Sequence, residues 1–231
     1  MRNSKFSLDN HVFVSKAITE MLEAGAVSVL PSGVIPTVVS PLGVVPKPNS
    51  DKFRLIVNMR YVNEHLSKRV FKFEGLSDLS DMAEKGDWCV AYDIISAYYH
   101  VSLHYDSRRF VGFNWKGIYY QYNCLPFGLS TSPWVFSKII RELVMYWRAK
   151  GINILPYLDD LLFLITGCEA CRALARMVAE DMRLAGLSIN WEKTMELRHK
   201  KECTWVLLLI LPRSCLNFLF DDGKLLRHQL A

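Results

Sequence analysis

The sequence predicts an α+β fold, a small antiparallel sheet of apolar strands packed on two helices. Three observations carry that expectation. Ile154 to Ile165 is an almost wholly apolar stretch broken by Asp159 and Asp160, which reads as two short buried strands joined at an acidic turn. Ser132 and Pro133 open a segment with apolar residues at helical spacing, and Gly151 closes it. A second helical segment runs from about Cys168 to Ala185 and is closed by Gly186.

The remaining elements follow in order. Asp9 or Asn10 is placed to cap a first helix through Val14, Ile18, Met21 and Leu22, stopped by Gly25. Pro31, Pro36, Pro41, Pro46 and Pro48 then alternate with valine-rich pieces that read as short extended strands. Phe53 to Arg60 reads as a strand, with basic or polar residues alternating with apolar ones over part of its length. Gly86 precedes another strand, Trp88 to Ile94, one face of which carries Cys89, Ala91 and Asp93. Tyr119 to Tyr122 is a further strand. In the helix that follows, Ser132 is the expected N-cap and Pro133 the first helical residue, where its missing N–H would be unpaired anyway. Val135, Ile139 and Leu143 form the apolar stripe, broadened by Ile140 and Trp147, while Lys138, Arg141 and Arg148 occupy the rest.

Bulk properties narrow the class. With 231 residues, 51% hydrophobic and 12% aromatic, the chain can bury a substantial core and is not a disordered segment. Its length fits one large domain or two intimate subdomains. The net charge of +5 suits a polyanion partner without requiring one. Met1 to Asn10 is polar and lacks the apolar core of a targeting signal, and no apolar run reaches membrane-spanning length. An intracellular, reducing setting is therefore expected, with no membrane partner. Cys168 and Cys171 have the spacing of half a zinc site, with Cys203 and Cys215 the later candidates. The competing reading puts Cys171 on the core side of a helix with Leu174 and Val178, and makes Cys89 and Cys124 small buried apolar residues. His100 and His104 follow a strand and read as ordinary polar residues.

Carboxylates within apolar surroundings must be paired, neutralised or bound to a metal. An ordinary hairpin would more often carry Asn-Gly or Asp-Gly at the position of Asp159 and Asp160. If the Trp88–Ile94 strand and the acidic hairpin are neighbours in one sheet, Asp93, Asp159 and Asp160 converge. Such a cluster suits two Mg²⁺ ions, which take a few carboxylates and complete their shells with water and substrate phosphates. The alternative is an acidic surface cluster without metal.

Five ordered segments give the chain a resemblance to the reverse transcriptases of retroviruses and retrotransposons. They are Phe53 to Asn63 with Arg54 and Arg60; Asp93-Ile94-Ile95-Ser96-Ala97-Tyr98-Tyr99; Leu125 to Pro133; Tyr157-Leu158-Asp159-Asp160; and Gly186 to Thr194. The Ser-Pro-Trp-Val-Phe phrase at Ser132 to Phe136 resembles the tyrosine-recombinase-type retrotransposons. The resemblance implies a palm and a fingers subdomain: fingers at 1–84 and 108–131, palm at 85–107, and palm again at 132–231, running into a truncated primer-grip region without a thumb. It implies an RNA-directed DNA polymerase that transfers deoxynucleotides to a primer 3′-hydroxyl. Asp93, Asp159 and Asp160 would bind the two Mg²⁺ ions, with Mn²⁺ as a substitute. Tyr98 would form the floor of the sugar pocket and exclude a 2′-hydroxyl. Lys47 and Arg54 would hold the triphosphate, Phe127 and Gly128 would line the nucleotide pocket, and Lys193 would donate a proton to the leaving pyrophosphate. Implied partners are an RNA or DNA template with its primer, deoxynucleoside triphosphates, and other retroelement chains or domains.

Three positions depart from the family pattern. Asn58 stands where many members carry Asp, and Ile95 where many are polar. Leu207-Leu208-Leu209 replaces a Leu-Gly-aromatic turn, which would strain or re-route the following hairpin. An inactive retroelement remnant or a repurposed nucleic-acid-binding module is therefore the alternative expectation.

Overall fold

The computed structural model of the chain describes residues 2–47, 51–67, 69, 74, 82, 87–192, 194–197, 220–221 and 224–225. In chain order the first elements are α1 (Lys5–Asp9), α2 (His11–Glu23), β1 (Val27–Val29), β2 (Val39–Ser40), β3 (Leu42–Pro46), β4 (Phe53–Val57) and α3 (Arg60–Glu64). Then come β5 (Asp87–Asp93), a 3₁₀ turn (Ala97–His100), α4 (Tyr105–Arg108), β6 (Gly112–Trp115), β7 (Ile118–Tyr122) and α5 (Ser132–Ala149). The last are β8 (Asn153–Tyr157), β9 (Asp160–Thr166), α6 (Cys168–Leu184), β10 (Met195–Leu197), β11 (Phe220–Asp221) and β12 (Lys224–Leu225). Contacts divide the chain into two units, Met1–Phe71 with Ser96–Ile139, and Lys72–Ile95 with Ile140–Ala231. No helix among the described residues is long and apolar enough to cross a membrane.

The first unit is built on a sheet of order β1-β7-β6-β2, antiparallel except where β2 runs parallel to β6. Phe113 is fully buried and stacks on Tyr120, with ring centroids 5.1 Å apart. The helix expected after Asn10 is α2, and it buries Val14, Ile18 and Met21 as its spacing implies. Asn10 does not cap it through its side chain, which donates to the Phe6 carbonyl instead. That bond closes α1, a short helix capped by Ser4 that the periodicity did not signal. The strand from Phe53 is also shorter than expected. Asn58 Oδ1 accepts from the Arg60 N–H at 3.2 Å, a local side-chain turn that ends β4 and leads into α3.

The second unit holds an antiparallel sheet of order β10-β5-β9-β8. Strand alternation puts Val90 and Tyr92 of β5 and Leu161 and Phe163 of β9 on one face. Helices cover that face. The Tyr92 hydroxyl donates to the Ala175 carbonyl of α6 at 2.7 Å. Trp147 of α5, with no exposed surface, meets the Phe163 ring edge-on at 5.1 Å and donates through Nε1 to Asp181 Oδ2. On α6, Cys171, Leu174 and Val178 are buried, as the core reading of Cys171 requires. Cys203 and Cys215 lie outside the described residues.

Helix α5 differs from its expected form in two details. The Thr131 carbonyl accepts the first helical bond, from the Val135 N–H, and the Ser132 hydroxyl donates to the Pro126 carbonyl at 2.9 Å. Ser132 is thus the first helical residue and ties the preceding loop to the helix rather than capping it. The buried stripe is Phe136, Ile140, Val144 and Trp147, whereas Ile139 is 43% exposed. The helix carries apolar residues on two adjacent stripes, and periodicity alone does not say which one turns inward.

Tyr99, Tyr122 and Cys124 form a buried titratable group in the first unit. Burial, reinforced by the Cys124 sulfur, pushes Tyr99 up to about 12. Tyr122 is raised well above the ordinary phenol range by burial and by Tyr99, and burial pushes the Cys124 thiol up to about 11. All three stay neutral in the folded chain at pH values where the unfolded chain releases their protons. Their contribution to stability is complete below about pH 9 and is lost as pH rises toward about 12. The urea midpoint should therefore hold from pH 7 to 8.5 and fall through pH 9 to 11; a flat profile to pH 11 would contradict the assignment.

Candidate active site

In the second unit, β5 and β9 pair in a register that ends with Asp93 directly opposite Asp160. The two side chains therefore share one sheet face, the face opposite that covered by α5 and α6. Asp159 precedes Asp160 in the two-residue turn from β8 to β9, and its carbonyl accepts from the Ile94 N–H at 2.9 Å. The other turn residue, Leu158, has φ 57°, a left-handed conformation that costs a branched side chain about 1–2 kcal/mol. The turn is held in that form by the strands on both sides, and it sets the direction in which Asp159 leaves the sheet.

The segment after α6 completes this corner. Its first turn is closed by the Leu187 N–H on the Met182 carbonyl, with Gly186 at φ 77° between them. Beyond that point the chain runs antiparallel to the end of β5: the Ile95 N–H donates to the Ser188 carbonyl and the Asn190 N–H to the Asp93 carbonyl, each at 2.9 Å. Asn190 Nδ2 also donates to Asp93 Oδ1 at 2.9 Å. Nothing in the strand periodicity distinguished Asn190. The usable signal was its place three residues before Lys193 in the Gly186 to Thr194 segment. Lys193 itself lies outside the described residues, as does Leu207 to Leu209.

Among the described residues, no three His, Cys, Asp or Glu side chains are gathered closely enough to hold a metal unaided. The donor chemistry nevertheless fits Mg²⁺, which binds through one or two carboxylates and draws its other ligands from water and substrate phosphates. Two like charges directly across a strand pair repel, and a divalent cation removes that repulsion. A groove of about 890 Å³ lies on the other face of β5, lined by Val90, Tyr92, Arg176 and Trp191 among others, and contains none of the three carboxylates.

The first unit gathers most of the residues expected to contact a nucleotide. Tyr98 on the 3₁₀ turn lies 4.9 Å from the Phe127 ring and 5.8 Å from Phe136, and Tyr99 lies 5.5 Å from Phe127. Phe127 is 46% exposed, so this aromatic cluster has an open side. Gly128 has φ 90°, and a Cβ there would stand 3.2 Å from the Val57 carbonyl at the end of β4. The conformation favours glycine, and the close approach adds to the cost of a side chain. On the β3–β4 ribbon, Arg54 pairs with Val45, and the Lys47 N–H extends the ladder to the Lys52 carbonyl at 2.8 Å. Two-residue alternation therefore brings Lys47 and Arg54 to the same exposed face.

Asn63 is a further residue of this site that sequence reasoning did not single out. From the end of α3, its Nδ2 donates to the Gly128 carbonyl at 2.9 Å and its Oδ1 accepts from the Ser130 N–H at 2.8 Å. One amide thus clamps both sides of the loop that carries Phe127 and Gly128. Replacing Asn63 with Ala should lower stability by about 1–2 kcal/mol, two exposed hydrogen bonds being lost. It should also make the 126–131 loop more sensitive to limited proteolysis; unchanged cleavage there would show that the clamp does not hold the loop.

Residues 45–207 match the family model described as reverse transcriptase (RNA-dependent DNA polymerase). The chain is 27% identical over 168 residues to the retrovirus-related Pol polyprotein from transposon 412 of Drosophila melanogaster, covering 70% of this chain and 13% of that polyprotein. It is 23% identical over 177 residues to the corresponding polyprotein from transposon 297 of the same fly, covering 75% of this chain and 16% of the other. The chain thus spans a small part of the curated relatives it matches. A foamy viral protease-reverse transcriptase solved with an RNA/DNA hybrid superimposes with a TM-score of 0.71 at 20% identity, covering 86% of this chain and 26% of that one. This likeness bears out the α+β palm-and-fingers fold. None of these matches supports the tyrosine-recombinase subgroup.

Proposed function

The chain belongs to the reverse transcriptase (RNA-dependent DNA polymerase) family, and we propose that it adds deoxynucleotides to a primer 3′-hydroxyl along an RNA or DNA template. The observation that carries this reading is the placement of Asp93 directly across from Asp160, next to Asp159 in its strained turn. Divalent cations are general in the family; two Mg²⁺ ions, replaceable by Mn²⁺, would supply activation of the attacking hydroxyl and neutralisation of the leaving oxygen. Asp93, Asp159 and Asp160 would hold them, Asp160 at the periphery.

The other residues have separate tasks. Lys47 and Arg54, on one face of the ribbon, would bind the triphosphate and offset charge that develops during transfer. Tyr98 would form the floor of the sugar site, supported by Phe136 and Phe127. Phe127 and Gly128 would line the nucleotide pocket, and Lys193 would protonate the departing pyrophosphate. The foamy viral relative was solved with an RNA/DNA hybrid, which supports nucleic acid as the partner, with other retroelement chains as further partners. In this reading the fingers comprise 1–84 and 108–131 and the palm 85–107 and 132–231.

Asp159→Asn should reduce Mg²⁺-dependent extension of a DNA primer on an RNA template by roughly 10²–10³-fold or more while its circular dichroism stays that of the parent. Normal extension by this variant would sink the assignment, and a folded parent that extends no primer would favour a nucleic-acid-binding module. Tyr98→Ala should raise ribonucleotide incorporation relative to deoxynucleotide incorporation; an unchanged ratio would remove Tyr98 from the sugar site.

A further inference from the structure

We propose that Asn190 is a positioning residue for the metal site: its side-chain amide holds the Asp93 carboxylate in the one orientation that receives a divalent cation. The inference rests on the polymerase reading above and extends it to a residue that touches neither metal nor substrate.

The backbone of Asn190 is held from both directions. Its N–H donates to the Asp93 carbonyl, and its own carbonyl accepts from the Thr194 N–H and the Thr194 hydroxyl, each at 2.9 Å. The Ile94–Ile189 bridge and the Ile95–Ser188 bond extend the same pairing. With its main chain so fixed, the side chain has little freedom, and Nδ2 reaches Asp93 Oδ1 at 2.9 Å. An ionised carboxylate only accepts hydrogen bonds, so the amide must present its NH₂ group.

The residue type matters for electrostatic reasons. Asp93 faces Asp160 across the strand pair, and a donor bonded to Asp93 fixes the direction of its carboxylate. A lysine or arginine at the same place would also do so, but its positive charge would compete with the cation. A neutral amide orients the carboxylate and leaves its charge for the metal. Partners of this kind fix the direction of a metal ligand, and their loss commonly weakens metal affinity 10–100-fold.

The test uses the full chain and its Asn190→Ala and Asn190→Leu variants, the second keeping side-chain volume without a donor. Mn²⁺ binding is followed by the electron paramagnetic resonance signal of free Mn²⁺, alongside the Mg²⁺ dependence of primer extension. Both variants should bind Mn²⁺ about 10–100-fold more weakly and need correspondingly more Mg²⁺. Their KM for deoxynucleotide at saturating Mg²⁺ should stay at the parent value, and the circular dichroism of Asn190→Leu should stay that of the parent. Parent-like Mn²⁺ affinity in either variant overturns the proposal, and recovery in Leu but not Ala would assign Asn190 to packing. A parent that binds Mn²⁺ but extends no primer overturns the polymerase reading alone, leaving the binding isotherms to decide on Asn190. A parent that neither binds nor extends overturns both.

Discussion

The placement of the candidate acids in the second unit depends on the register between β5 and β9. The pairing runs from Asp87 against Thr166 to Asp93 against Asp160. Because side chains alternate faces, a slip by one residue would carry Asp93 to the helix-covered side and Tyr92 away from it. Two effects compete over this register. Bringing two carboxylates face to face is unfavourable by up to about 1 kcal/mol without a cation. Burial of Val90, Tyr92, Leu161 and Phe163 beneath the helices contributes about 1.5–3 kcal/mol for each side chain. The packing wins by a wide margin, so the acids are held together by the apolar residues that alternate with them.

The same surplus maintains local strain. Leu158 sits in a left-handed conformation that glycine would adopt freely. Its turn persists because the strands on either side are pinned, β8 to β9 by pairing and β9 by its buried face. In the first unit, the loop bearing Phe127 and Gly128 is controlled differently. A positive φ with a tight approach to the Val57 carbonyl makes any side chain at 128 strained, and the Asn63 amide ties the loop's carbonyl and N–H groups to α3. Apolar packing directs the acids; hydrogen bonds from single amides direct the finer elements around them.

Much of this was legible in the chain. The acidic interruption of an apolar run marked the hairpin, and Gly151 and Gly186 marked the ends of the long helices. The core side of α6 followed from Cys171, Leu174 and Val178. The failures have physical causes. Asn58 ended β4 through a bond to the Arg60 N–H, a side-chain turn that competes with strand pairing and leaves no mark on the alternation of apolar residues. Ser132 looked like a cap, yet its hydroxyl was taken by the Pro126 carbonyl. On α5 the inward stripe was Phe136, Ile140, Val144 and Trp147, because Phe163 and Asp181 provide a seat for Trp147.

The amino-acid sequence by itself determined the family, the α+β class, the glycine stops of the long helices and the three candidate acids. Those depend on residue types and on neighbours a few positions apart, where periodicity and capping act. Only the tertiary structure decided that Asp93 stands opposite Asp160, that Asn63 reaches Ser130 across 67 positions, and that Asn190 reaches Asp93 across 97. Such pairings are chosen by which apolar faces can be buried together, a competition among distant segments that no single segment records.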